Sequence, residues 1–148
     1  MLLKTMCYGE IDVNERRCLT FPRGILGFAH HRDYLLMPCE QDDRAYWLQS
    51  VQQSDLAFLV TDPERVMPGY AKSIRSELIR GLGIRSLSEV QLLVIVDQHG
   101  DRSTANLQGP LVVHINDRLG EQYVLPSDRY STRTPLSEPA GKQRETGT

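Results

Sequence analysis

Turn-forming residues interrupt this chain so often that its apolar segments have room only for short strands. Gly9-Glu10, Asn14 to Arg17, Pro22, Gln52 to Asp55, Asp62-Pro63, Asp97 to Arg102 and Asn116-Asp117 to Gly120 each separate two apolar stretches. Between and beside them lie Leu2 to Tyr8, Ile11 to Val13, Cys18 to Phe21, Tyr34 to Met37, Ala45 to Val51 and Leu56 to Thr61. Val90 to Val96, Thr104 to Leu107, Leu111 to Asn116 and Gln122 to Leu125 continue the series. Many short strands at such spacing close into a barrel or a strongly curved sheet. The expected fold class is mainly β: a small β-barrel-like single domain of antiparallel strands with one short helix.

Two hairpins are expected in detail. Cys18 to Phe21 should pair back across the Asn14–Arg17 turn, and Pro22 should end that strand because proline has no N–H for a ladder. Ala45 to Val51 should pair with Leu56 to Thr61 across a polar four-residue turn, which Asp62-Pro63 closes. The helix is expected over Ser73 to Leu82. Ile74, Leu78 and Leu82 recur on one face with Ile79 beside them, Ser73 can cap the start, and Gly81 and Gly83 can stop the end. Val90 to Val96 is continuously rich in apolar residues and is expected to be the most buried strand.

A chain of 148 residues holds one domain with a real core. We place that domain over residues 1–136. From Ser137 the composition offers almost nothing to bury, so residues 137–148 are expected to form a flexible C-terminal tail. The run Leu92 to Val96 is far short of the roughly 18 apolar residues a membrane helix needs, and the N-terminus lacks the pattern of a signal peptide. Net charge is −2 with both signs interspersed, which gives no field to gather nucleic acid. Cys7, Cys18 and Cys39 are odd in number and have no C-x-x-C spacing, which argues for reduced thiols in a cytoplasmic protein.

The search for chemistry yields no catalytic residue, no metal site and no cofactor site. Adjacent histidines such as His30-His31 point to opposite faces of a strand and rarely chelate one ion, so a solvated loop is expected there. Gly81-Leu82-Gly83 follows a helix rather than a strand, and a helix C-cap explains it better than a dinucleotide fingerprint. No G-x-S-x-G occurs, and surface carboxylates are far commoner than catalytic ones. Arg75, Arg80 and Arg85 spiral around a helix instead of lining one face. The alternatives these residues leave are a cofactor-binding protein built on a small barrel, or an RNA-binding module. The first needs a phosphate-binding cluster, and the second needs aromatics interleaved with basic residues on one surface.

What identifies the chain is a series of turn formers set beside aromatics. Phe21-Pro22-Arg23-Gly24-Ile25-Leu26-Gly27-Phe28 is the first segment, and Trp47-Leu48-Gln49 running through Asp55 to Asp62-Pro63 is the second. Ser103 to Leu107 with Asn106, Pro110 to Val113, Arg118-x-Gly120-x-Gln122 and Tyr130-x-x-Arg133-x-Pro135-Leu136 complete the series. Taken from the residues alone, Phe21, Ile25 and Phe28 should pack while Gly24 and Gly27 relieve backbone strain. Trp47 should be mainly a core residue. In this order the pieces resemble the FliW family of flagellar assembly factors, from about Met6 to Leu136.

The resemblance implies a non-enzymatic cytoplasmic protein. The absence of ligand spacings, heptads and any long exposed apolar segment adds the expectation of a monomer when free, with no cofactor and no direct contact to nucleic acid or membrane. The resemblance also implies two protein partners: flagellin before export, and CsrA, a small basic repressor of flagellin translation. Flagellin competes for the same protein, so the two partners exchange and CsrA repression is relieved. A basic partner calls for an acidic surface. The candidate protein-binding residues are Asp42, Asp43, Asp55, Asp62 and Glu64, all in or beside turns. The family is usually acidic just after the position of Tyr70, whereas this chain reads Ala71-Lys72-Ser73-Ile74-Arg75.

Overall fold

The apolar runs Ala45–Leu48 and Ala57–Val60, separated by a polar turn, pair as the expected hairpin over Asp42–Ser50 and Ala57–Thr61, with Trp47 opposite Leu59 and Leu48 opposite Phe58. These are strands β5 and β6 of a computed structural model that describes residues 1–126 and 128–136. The tail expected over residues 137–148 lies outside the described residues. Before the hairpin come β1 (Leu2–Thr5), β2 (Gly9–Asp12), β3 (Leu19–Thr20) and β4 (Asp33–Cys39). After it come helices α1 (Pro63–Val66) and α2 (Tyr70–Leu82). The chain continues with β7 (Val90–His99), β8 (Arg102–Ala105), β9 (Leu111–His114), β10 (Leu119–Gln122) and β11 (Thr134–Pro135).

β1 and β2 form a separate two-stranded sheet, and the other nine strands form one sheet in the order β11-β8-β7-β6-β5-β4-β3-β10-β9. Because β7 also pairs with β9, this sheet closes on itself. Seven strands make the ring, and β8 and β11 extend from the far half of β7. Val90, Leu93, Val94 and Val96 of β7 are buried as expected, but Gln91 is exposed and Leu92 and Ile95 are half-buried. β7 is therefore not the most buried strand; Leu111, Val112 and Val113 of β9 are more fully covered. One edge of β7 faces β6 while the other is shared between β9 at Val90–Leu93 and β8 at Val96–His99. All pairings are antiparallel except β3 with β10, which is parallel.

Alternate side chains of each ring strand point into the lumen, where Leu19, Phe21, Ile25, Tyr34, Leu48, Val60, Leu93 and Leu111 form one core. The opposite face of β7, with β8 and β9, packs against Tyr70, Ile74 and Leu78 of α2 in a second core. A third, smaller core lies where Leu3 of the β1–β2 hairpin covers Leu35 and Met37 of β4. Pro38 is tolerated in β4 for a positional reason. The Val51 N–H bond to the Asp33 carbonyl sets the alternation so that Pro38, like Leu36, turns its backbone away from β5. No ladder bond is therefore lost.

Several local expectations are corrected. Cys18 to Phe21 does not pair with the preceding strand. Asn14 caps a 3-10 turn at Glu15–Arg17, which sends the chain on so that β3 joins β4 and β10 instead. The turn between β1 and β2 falls at residues 6–8, and Gly9 already begins β2. Helix α2 starts at Tyr70, before Ser73. Its cap is Gly69, and the Ser73 hydroxyl bonds back to the Tyr70 carbonyl within the helix. The end agrees with expectation, since the Gly83 N–H closes on the Ile79 carbonyl. α1 is a second, single-turn helix starting at Asp62-Pro63, where only the end of a hairpin is expected.

Candidate partner-binding surface

Asp62-Pro63-Glu64 is an N-cap followed by proline at the first helical position and an acid in the first turn. The Asp62 carboxylate accepts the Glu64 N–H at 2.9 Å and so starts α1. The Glu64 carboxylate in turn accepts the N–H groups of Gly69 and Ala71, each at 2.9 Å, across the start of α2. Gly69 has no side chain to cap that helix, so Glu64 supplies the missing acceptor and sets a negative charge against the positive helix end. Both carboxylates remain exposed.

Arg65, the next residue, points the other way. Its Nη1 lies 2.7 Å from Asp42 Oδ2, and the two side chains are only 9% and 4% exposed. Asp42 also accepts the Arg44 N–H at 3.0 Å. The expectation that turns would hold all five acids at the surface therefore fails for Asp42. Its carboxylate is buried because it ties the β4–β5 turn to α1, and Arg65 is the charge that makes this burial tolerable. Asp43, beside it, is exposed.

Asp55 stands apart from the others. It sits in the turn before β6, bonded to the Gln53 side chain at 2.7 Å, whereas Asp62 follows the end of β6. Seven extended residues separate them by roughly 20 Å. The fold thus gathers Asp43, Asp62 and Glu64 around α1, buries Asp42 beneath them and leaves Asp55 at the far end of the sheet.

Asp62 and Glu64 also line a groove of about 360 Å³, whose apolar part comes from Ala71, Leu87, Leu92 and Ile115. Ile115 is 51% exposed. An apolar floor with two carboxylates on one wall can take an apolar side chain of a partner and hold a neighbouring basic one. Lys72 and Arg75 are exposed on the first turns of α2, so the basic stretch after Tyr70 borders this region. Sequence reasoning missed Leu87, Leu92 and Ile115, which are remote in the chain. It could have found α1 from the Asp-Pro-Glu signature.

The remaining motif residues build the frame. Pro22 is exposed in the turn that carries Gly24, where φ is 70° and a β-carbon would come within 2.5 Å of the Ala29 backbone. Ile25 is buried, and Gly27 lets the chain turn so that the Phe28 N–H reaches the Ile25 carbonyl at 2.7 Å. Phe28 is partly exposed and meets Phe58 edge to face at 5.1 Å. Leu48 is fully buried in the lumen. Gln49 is also fully buried. It accepts the Met6 N–H at 2.8 Å and directs its amide at carbonyls of the 50–56 turn, including Ser54 at 3.1 Å. Asn106 Oδ1 accepts the N–H groups of Gln108 and Gly109. Trp47 is half-buried where two of the cores meet, and its indole N–H has no hydrogen-bond partner among the described residues.

Among the described residues no group of three His, Cys, Asp or Glu side chains converges, and His30 is exposed in a loop. No helix there is long and apolar enough to cross a membrane.

The family described as FliW protein matches residues 2–136 of this chain. The flagellar assembly factor FliW of Natranaerobius thermophilus is 35% identical over 137 residues, covering 90% of this chain and 91% of that protein. The protein of the same name from Geobacter sulfurreducens is 36% identical over 149 residues, covering 99% and 93%. A crystal structure of the flagellar assembly factor FliW superposes with a TM-score of 0.81 at 30% identity, covering 95% of this chain and 99% of that one.

Proposed function

Because this chain belongs to the FliW family of flagellar assembly factors, a family of binding proteins rather than enzymes, we propose that it binds flagellin and the translational repressor CsrA in exchange. Free flagellin occupies the protein, CsrA is left to repress flagellin translation, and export of flagellin reverses both steps. The exchange is a linkage equilibrium, in which each partner lowers the apparent affinity for the other without any covalent chemistry. The cytoplasm, where unexported flagellin and a translational repressor meet, is where it acts.

The observation that carries the surface assignment is the groove beside α1, where Asp62 and Glu64 flank apolar ground. CsrA is basic, and exposed carboxylates on a fixed helical turn complement it without the cost of full burial. Asp43 belongs to the same region and Asp55 does not. Immobilised CsrA should capture the purified protein, and flagellin added in solution should release it in proportion to its concentration. Capture of neither partner, or simultaneous capture of both without loss of affinity, overturns the exchange.

A further inference from the structure

One end of the ring is filled and the other is open. At the filled end Phe21, Ile25 and Tyr34 are essentially inaccessible. At the open end β3 reaches only Asp33 and Tyr34 of β4, so among the described residues the β4 edge from Leu35 to Pro38 has no neighbouring strand on that side. A cavity of about 640 Å³ opens between this edge and the chain around Asn14. That volume is within the range of sites that enclose small molecules, and the mouth of a barrel is a common place for one.

The chemistry of its lining is divided. Leu19, Leu36, Tyr46 and Val113 provide apolar walls continuous with the lumen core. Gln91 interrupts the apolar run of β7 on its lumen face, opposite Val113, and is exposed to this space. At the rim stand Arg17 and Arg118, and neither guanidinium has a carboxylate partner among the described residues. Asp12, also at the rim, is engaged by the Met1 amine at 3.2 Å.

Arg118 has a further peculiarity. It is the one non-glycine residue with positive φ among the described residues, at 53°. Its carbonyl accepts the Thr20 N–H at 3.0 Å, and its Nη1 donates to the Arg17 carbonyl at 3.1 Å. A costly backbone conformation is thereby held so that two guanidinium-bearing residues are brought together at the mouth of an apolar cavity. Glycine or asparagine would fit the turn with less strain but would leave the Arg17 carbonyl without this donor, so the arginine both ties the two turns together and carries a charge to the cavity mouth.

We propose that this cavity binds a small amphipathic anion, with an apolar body between Leu36 and Val113 and an anionic oxygen head group on Arg17 and Arg118. Gln91 supplies a neutral polar contact partway down. The cavity shares Ile115 and Gln91 with the groove beside α1, but its charge is of opposite sign. The two sites therefore adjoin, but none of the acidic residues assigned to the partner lines this one.

Titration calorimetry with sodium decanoate tests it, with decanol as the uncharged control. One decanoate per chain should bind with a Kd on the order of 100 µM, and decanol should bind at least about tenfold more weakly. The Gln91 side-chain amide resonances should shift on saturation. Arg17→Gln should weaken decanoate about tenfold, and Arg17→Glu should abolish binding. The Arg17 side chain is exposed on a surface turn, so both variants should melt with the parent protein, and Arg118→Gln gives a second reading of the same charge. Absence of decanoate binding at low-millimolar concentration overturns the proposal. So do equal affinities for decanoate and decanol, unchanged binding by Arg17→Glu, or binding that leaves Gln91 unmoved.

Discussion

The ring of Phe21 lies so close to Gly120 that a β-carbon on that glycine would stand 2.5 Å from Phe21 Cζ. Phe21 follows β3 and Gly120 is in β10, so this contact sits where the single parallel pairing of the ring is made. The bulk of one residue and the absence of a side chain on the other are one packing decision. Gly120→Ala should cost about 1–3 kcal/mol of stability by overpacking. Combining it with Phe21→Leu should cost less than the sum of the two single changes, and denaturant unfolding of the four proteins measures that coupling.

Asp42→Asn, at the buried start of β5, should be among the most damaging single changes to an acidic residue. It leaves Arg65 buried against a neutral amide, and breaking such a pair costs about 3–5 kcal/mol. Urea midpoints of Asp42→Asn and Asp43→Asn compare the buried and the exposed neighbour directly, and the second should be nearly silent.

Asp62→Asn with Glu64→Gln removes two charges while leaving acceptors for the caps of α1 and α2. Association with CsrA should slow and lose much of its salt dependence, while dissociation changes less. Asp55→Asn, at the far end of β6, should leave association unchanged. Stopped-flow or sensor kinetics at low and high salt check both, and equal rates for the double variant and its parent would move the contact off this groove.

Trp47→Ala should act through folding. The indole joins two cores, and its loss should cost about 3 kcal/mol. A variant that keeps parental stability and loses a partner would make Trp47 an interface residue instead.

Alkaline pH should weaken the fold through tyrosine. Burial pushes the Tyr34 hydroxyl up to about 12, and Tyr70 is shifted in the same direction, first by burial and then by Tyr130. The folded state holds these protons while the unfolded chain releases them near pH 10. The tyrosine contribution should be fully present below pH 10 and be lost from there towards pH 12, by about 3 kcal/mol for Tyr34. The Tyr34 hydroxyl has no hydrogen-bond partner among the described residues, so Tyr34→Phe should be neutral or stabilising and should reduce the slope. Chemical unfolding between pH 8 and pH 11.5 reads both effects.

The sequence by itself determined the class of fold, the β5–β6 hairpin, the end of α2 and the prominence of β7. These depend on contacts between residues close in the chain, on the two-residue period of a strand and on turn chemistry, all of which are written locally. Only the tertiary structure decided that β3 joins β4 and β10 rather than its neighbour β2, since short strands carry no local signal for their partners. It also separated the acids, burying Asp42 on Arg65 and keeping Asp62 and Glu64 exposed at a groove. Charge type is legible in a sequence, but whether a carboxylate faces water or a guanidinium depends on which distant segment folds over it. The groove's Leu87, Leu92 and Ile115 and the cavity's Arg17, Gln91 and Arg118 were illegible for the same reason: closure of the ring, not sequence proximity, brings them together.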